Sequence, residues 1–457
     1  MTRKNNIAWL TTLPLALFAL LAPAIVNGLP FVFADTGGYL ARPFEHSLAL
    51  GRSALYGLFL ATGISCEFWP QVILQAVLTI WIVGVVLRVY VCPGPIAFAA
   101  VISGLIMFSS LPWYAGMLMP DIFLPLAVVA LHILAFAHAS LRRFEPPLLI
   151  AVVAFAMASH MSILALTAAL LLLFFALKSV GRRFAMHSPR LDLPIAACAC
   201  GIVLALFSNL AIAGKFAFTP GGSSFLFARL LQDGIVARYL ADRCPDPDIR
   251  LCAFRAELPH GADDWLWGNS PLGRLGGWEA FAPEARWIII DSVLRYPLLH
   301  ARTAMRATAE QLVTLDTGEG FHSRDNWHAE GMLRRFAPRA MASFQSSLQQ
   351  RDALDFKVLN LVHVPSALIA SAALPFFVVL LRRRNSALAA LALTVAFAIL
   401  TNAAICGIFS NPNARYQSRI APLAVLTVMA ILAGRLAALD QTSRSAQRNP
   451  CQESPPE

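Results

Sequence analysis

Residues 8–29 read AWLTTLPLALFALLAPAIVNGL, a run of 22 residues without a charged side chain, with Arg3 and Lys4 in front of it. As a helix the run is about 33 Å long, enough to cross a hydrocarbon core of roughly 30 Å. Its basic flank resembles that of a secretory signal, and Leu21-Ala22-Pro23-Ala24 is a weak cleavage site. The length of the run and the apolar segments that follow favour an uncleaved signal anchor.

The pattern then repeats. Further apolar runs lie at 69–90, 95–112, 121–140, 146–160, 163–178, 192–213, 364–381, 386–409 and 419–438, which makes ten candidate spans. The stretch 146–178 is interrupted only by Ser159-His160-Met161-Ser162, so it holds two short or tilted spans, or one long span and a re-entrant piece. With 58% hydrophobic and 14% charged side chains among 457 residues, the chain cannot cover itself as a water-soluble globule. The formal charge of +10 does not point to nucleic acid, because the basic residues fall between apolar runs, where they report topology. With the N-terminus inside, Arg88, Arg142-Arg143, Lys178 with Arg182-Arg183 and Arg190, Arg382-Arg383-Arg384 and Arg435 all fall on the cytoplasmic side. The expected fold class is an all-α polytopic membrane protein of about ten transmembrane helices. Both termini would be cytoplasmic and, in a bacterium, the membrane would be the inner one.

This reading divides the chain into an N-terminal transmembrane module (1–213, with a first outer loop at 30–68), a periplasmic insertion (214–363), C-terminal transmembrane helices (364–438) and a disordered cytoplasmic tail (439–457). The insertion is too long for a plain connection and should fold as a mainly helical cap. Apolar spacing predicts a helix from Ser223 to Asp242, stopped by Pro245-Asp246-Pro247-Asp248, and a second opened by Pro283-Glu284 and reaching about Arg295. Further helices are expected at 300–314 and 339–358. Trp265-Leu266-Trp267-Gly268-Asn269-Ser270-Pro271 and Gly276-Gly277-Trp278 read as an ordered irregular loop, its indoles serving packing or substrate stacking. Cys244 and Cys252 flank the proline-rich turn in an oxidising compartment, where a local disulfide is expected. The other cysteines lie mostly in or beside spans as small apolar filler, and the absence of a C-x2-C pair argues against structural zinc or iron–sulfur sites.

Charges at the edge of a bundle are costly unless paired or wet, so they mark candidate chemistry. Asp35, in Phe33-Ala34-Asp35-Thr36-Gly37-Gly38-Tyr39-Leu40, and Asp121, after Pro120, both fall at the outer membrane face. Brought into one cleft, either could act as a base toward a hydroxyl, and the pair could share a divalent cation. The alternatives are an N-cap or Asx-turn feeding a Gly37-Gly38 bend for Asp35, and an N-cap for Asp121. In the last outer turn Arg415, Tyr416 and Arg419 break the positive-inside trend, and guanidinium forks there suit phosphate oxygens; lipid headgroups or an insertion carboxylate would suit them too. Arg42 and Arg52 in the first loop are weaker candidates of the same kind. His160 could reach the cleft or serve as a hydrogen-bonded turn residue. The apolar stretch Ser53–Ile64 is too short to cross and reads as a surface-lying or re-entrant helix forming one wall of a lateral entrance.

Together these features resemble the GT-C superfamily of polytopic glycosyltransferases that use lipid-linked sugars. The resemblance implies an outward-facing active site, a polyprenyl-phosphate-linked sugar donor and an envelope glycan, lipid or protein acceptor. It also implies a first-loop acid as general base, which Asp35 with neighbouring Tyr39 matches, a second outer acid, which Asp121 matches, and a basic-aromatic pair beside the donor phosphate, which Arg415-Tyr416 matches. It covers the topology of 1–213 and 364–438 through short motifs. The chain departs from the pattern in having no soluble C-terminal domain, no WWD-type motif and no Asp-Glu pair. A lipid or small-solute transporter or flippase is the rival reading, although no two-fold internal repeat supports it. A non-enzymatic envelope assembly protein is a third, and would need no convergence of Asp35, Asp121 and Arg415.

Overall fold

The computed structural model describes the backbone of residues 3–91 and 94–447, and apart from two isolated bridges its regular elements are helical. The N-terminal module runs through α1 (Arg3–Asn27), α2 (Ala34–Glu45), α3 (Ala54–Ala61), α4 (Trp69–Tyr90), α5 (Pro95–Phe108), α6 (Leu111–Ala115), α7 (Phe123–Phe136), α8 (Glu145–Ser159), α9 (Met161–Val180) and α10 (Asp192–Ala213). The insertion contributes α11 (Gly222–Gln232), α12 (Ile235–Arg243), α13 (Ala262–Trp267), α14 (Gly277–Arg295), α15 (Pro297–Val313), α16 (Trp327–Phe336) and α17 (Met341–Ser346). The C-terminal part consists of α18 (Lys357–Leu381), α19 (Ser386–Phe409), the short α20 (Ala414–Ser418) and α21 (Pro422–Gln447).

Among the described residues seven segments are long and apolar enough to cross a membrane: α1, α4, α9, α10, α18, α19 and the stretch from α20 into α21. The chain is therefore an all-α, multi-pass membrane protein with a helical insertion. Three of the ten expected spans, α5, α7 and α8, are apolar but shorter. At 14 or 15 residues each they are about 21–23 Å long. α7 can be short because every one of its residues is buried in protein, so it has no lipid thickness to match. Its one polar side chain, His132, is held by the Tyr90 hydroxyl at 2.8 Å and the Thr394 hydroxyl at 2.9 Å, which satisfies both ring nitrogens.

Side-chain and backbone contacts sort the helix ends into two groups. At one end the Arg88 guanidinium meets Glu145 at 2.5 Å and the Ser140 carbonyl at 3.0 Å, and the Arg190 amide donates to the Ala135 carbonyl at 2.8 Å. At the other, Ser53 donates to the Ala158 carbonyl at 2.7 Å, Ser110 to the Ser418 carbonyl at 2.6 Å, and Gln75 to the Ala115 and Met117 carbonyls at 3.0 Å. The short apolar helices run between the same two ends as the long ones. The basic clusters lie at the first end, and Asp35, Asp121 and Arg415 lie at the second.

The insertion has its own core around Phe227, Tyr239, Trp265, Phe281 and Ile288, and Cys244 is joined to Cys252 by a disulfide. It docks through α15, which lies along α19 so closely that a Cβ on Gly407 would fall 2.6 Å from the Ala307 carbonyl oxygen. Several expectations need correction. The helix expected over 223–242 is two helices, α11 and α12, because Gly234 takes φ +76° and turns the chain. Pro283 lies inside α14, where the carbonyl it leaves unmatched, that of Glu279, sits in an exposed first turn open to water. The helix expected over 339–358 is replaced by α17, irregular chain, and α18, which starts at Lys357. The Trp265–Pro271 loop is helical through Trp267. The first outer loop folds as α2 and α3, with Gly37 and Gly38 inside α2 rather than in a bend. Of the expected tail at 439–457, residues 439–447 continue α21, since extending a nucleated helix costs little, and 448–457 lie outside the described residues.

Candidate functional site

Asp35 and Asp121 are 86 positions apart in sequence and are brought together by backbone pairing between the segments that carry them. The Phe31 amide donates to the Gly116 carbonyl and the Leu118 amide to the Phe31 carbonyl, both at 2.9 Å, forming a two-bond parallel bridge. Thr36 adds a third tie: its hydroxyl accepts from the Phe33 amide and donates to the Leu118 carbonyl, each at 3.0 Å. The start of α2 is therefore riveted to the segment that leads into α7.

Across from these acids stands the turn before α21. Arg415 lies between the two carboxylates, with Nη1 3.4 Å from Asp35 Oδ2 and Nε 3.8 Å from Asp121 Oδ1. Arg419 Nη1 donates to Asp121 Oδ1 at 3.1 Å, and Arg52 donates to Asp35 Oδ1. The Arg415 guanidinium also lies over the rings of Phe33, 4.2 Å from its centroid, and Tyr416, at 5.1 Å. Its turn is clamped by the insertion: Glu319 Oε2 accepts from the Arg415 amide at 2.6 Å, and Gln311 exchanges two hydrogen bonds with the backbone of Asn413. Burial raises the Glu319 carboxyl above the ordinary glutamate range, although the Arg415 amide and guanidinium pull it the other way. Asp35, Asp121 and Glu319 therefore face Arg52, Arg415 and Arg419, three carboxyl groups gathered with three guanidinium groups.

The Asp-Thr-Gly-Gly sequence has a steric explanation. A Cβ on Gly37 would stand 2.8 Å from the Ala329 Cα of α16, and one on Gly38 would meet the Arg52 side chain at 3.3–3.5 Å. The first glycine lets an insertion helix lie against α2, and the second leaves Arg52 room to reach Asp35. Gly37→Ala should therefore push α16 away and destabilise the protein by about 1–3 kcal/mol. Limited proteolysis of the 321–337 region should then become faster. Unchanged proteolysis and an unchanged thermal midpoint would mean that α16 does not rest on α2.

The remaining candidates fall into two groups. Tyr416 is part of the cluster, the Arg419 guanidinium lying 5.2 Å from its ring centroid as well. His160 caps α9, its Nδ1 accepting from the Ser162 amide at 3.2 Å, and Ser162 in turn accepts from Arg419 at 3.1 Å; it reaches the cluster through that serine. Tyr39 is buried against Tyr56 just behind Asp35, and burial holds its phenol well above the ordinary value. Arg42 turns away from Asp35, its guanidinium spent on Gly38 O at 2.9 Å, Ser47 and Glu45. Glu319, Ser162 and Asn402, whose Oδ1 accepts from Arg419 Nη2 at 3.4 Å, were not legible as site residues, because a neutral side chain in an apolar run or one acid among many in the insertion carries no local signal.

Asp35 and Arg52 also lie on the wall of a cavity of about 1050 Å³ between the first outer loop and the insertion, whose 219–224 segment borders it. The insertion adds Trp267, Trp278, Trp327 and Arg286 to the lining. Asp121, Arg415 and Arg419 are buried behind Asp35 and do not line the cavity. Among the described residues no group of three or more His, Cys, Asp or Glu side chains could hold a metal ion, and the cation between Asp35 and Asp121 is the Arg415 guanidinium. Comparison of the chain with protein-family models, with curated proteins and with solved structures finds no match.

Proposed function

We propose that the protein is an integral membrane glycosyltransferase that moves a sugar from a polyprenyl-phosphate donor to an envelope acceptor at the periplasmic face of a bacterial inner membrane. The observation that carries this reading is the placement of Asp35 between Arg52 and Arg415 on the wall of a large cavity at one end of the bundle. Asp35 Oδ2 has only a long contact with Arg415, which leaves it free to accept the proton of an acceptor hydroxyl. The hydroxyl oxygen then bonds to the anomeric carbon, the bond from that carbon to the phosphate oxygen breaks, and the polyprenyl phosphate leaves with the electron pair. Arg52, on the cavity wall, meets the leaving phosphate, and the buried Arg415, held in place by Asp121 and Arg419, adds positive charge from behind Asp35.

The test uses the full chain in lipid nanodiscs with polyprenyl-phosphate sugars labelled in the sugar, together with an extract of envelope glycans and lipids. Label should move to an extracted acceptor while free polyprenyl phosphate appears. Failure to consume any such donor in the presence of the extract would overturn the reading. The orientation is tested separately by impermeant thiol labelling of intact cells. A cysteine at exposed Asn269 should react from the periplasm and one at exposed Arg383 only after the membrane is opened. Labelling of both, or of Arg383→Cys alone, would reverse or dissolve the proposed topology.

A further inference from the structure

We propose that the insertion's wall of the cavity is a carbohydrate-binding site, which makes the acceptor a glycan; the word acceptor rests on the transferase reading, whereas the binding site does not. The strongest observation is how the cap spends its tryptophans. α13 sends Trp265 into the insertion core, 1% exposed, and Trp267, two residues on, outward into the cavity at 56%. Trp327, at the start of α16, joins it at 75%, and Trp278 completes the set with its ring centroid 5.5 Å from that of Trp267. Leaving indoles exposed forfeits the burial that usually stabilises them, and in a cavity such rings form flat apolar platforms with polar rims.

The groups between the indoles identify what would lie on them. Arg286, Glu279 and Asp325 share the lining with the three tryptophans, so planar hydrogen-bonding groups and flat apolar ones face the same cavity. A pyranose ring is built to match: its axial C–H face is apolar and its rim is hydroxyl. An acyl chain would want unbroken aliphatic lining, which this wall lacks. The charged lining balances, Asp35, Glu279 and Asp325 against Arg42, Arg52 and Arg286, which suits a neutral glycan better than a polyanion. The volume of about 1050 Å³ stands at the top of the roughly 300–1,000 Å³ range of small-molecule pockets, so more than one sugar ring can enter.

The platform is also continuous with the acid. The Arg52 guanidinium lies 6.0 Å from the Trp267 ring centroid and donates to Asp35, so a single side chain joins the aromatic wall to the proposed base. A ring stacked on Trp267 would carry its hydroxyls toward Asp35.

The experiment is saturation-transfer NMR on the full chain in nanodiscs, with trisaccharides of glucose, mannose, galactose and N-acetylglucosamine and an unstructured decapeptide as probes. At least one trisaccharide should bind saturably. Its affinity should fall at least about tenfold in Trp267→Ala and in Trp327→Ala, and stay unchanged in Trp287→Ala, which removes an indole outside the cavity. Because Trp267 and Trp327 are exposed, their loss should leave the thermal midpoint in place, which keeps the comparison valid. No saccharide binding, binding of the peptide alone, or saccharide binding that survives the Trp267→Ala/Trp327→Ala double variant would overturn the site. Donor consumption measured on the same samples separates the two ideas: sugar binding without consumption sinks the transfer chemistry, and consumption without sugar binding sinks only this site.

Discussion

Asp35→Asn is expected to lower sugar transfer by about 10²–10⁴-fold while leaving the protein folded. Asparagine nearly preserves the volume and keeps an oxygen for Arg52, but it cannot take a proton from a hydroxyl at neutral pH. The cost to the fold should be small because asparagine keeps an oxygen for the Arg52 hydrogen bond, and both side chains, 19% and 17% exposed for Asp35 and Arg52, still touch solvent. Transfer rate and thermal midpoint should therefore separate: the first collapses and the second moves little. A rate within tenfold of the unaltered protein would remove Asp35 from the role of base. A large fall in the midpoint would instead mark Asp35 as a structural partner of Arg52 and Arg415.

The reverse pattern is expected for Arg419→Ala, which should cost about 3–5 kcal/mol of stability. Arg419 and Asp121 are 0% and 1% exposed, so removing the guanidinium leaves a buried carboxylate with only the longer Arg415 contact to balance it. Asp121 Oδ2 already has no hydrogen-bond partner, which leaves that carboxylate little to fall back on. Breaking a buried pair on one side is worse than removing both charges, so Asp121→Asn with Arg419→Met should recover much of the lost stability. Unfolding midpoints of the single and double variants in nanodiscs test this. A single variant as stable as the unaltered protein, or a double variant no better than the single, would show that the pair does not hold the α20–α21 turn against α7.

The contrast between Arg42 and Arg52 shows where reading along the chain reaches its limit. Both are arginines of one short segment with the same charge, and sequence alone ranked them together. Only the fold separates them: Arg42, one turn past Gly38 on α2, bends back onto that helix's own end, whereas Arg52, beyond the 46–51 turn, returns over Gly38 to Asp35. Glu319 makes the same point from the insertion. Its link to Arg415 depends on how α15 docks on α19, a contact between segments about a hundred residues apart that no local pattern encodes.

What the sequence determined by itself is the membrane character, the helical class, the existence of a helical insertion and the candidate acids at one face. These depend on composition and on periodicities of a few residues, where the cost of exposing a backbone polar group or a charge to lipid outweighs any tertiary detail. The tertiary structure alone decided that Asp35 and Asp121 share one arginine, that the Gly37-Gly38 pair makes room for α16 and Arg52 rather than a bend, and that Trp267 faces a cavity while Trp265 fills a core. Each of those outcomes depends on which surfaces meet across long sequence separations, and side chains of the same type are told apart there only by the space and the partner that the opposite element offers.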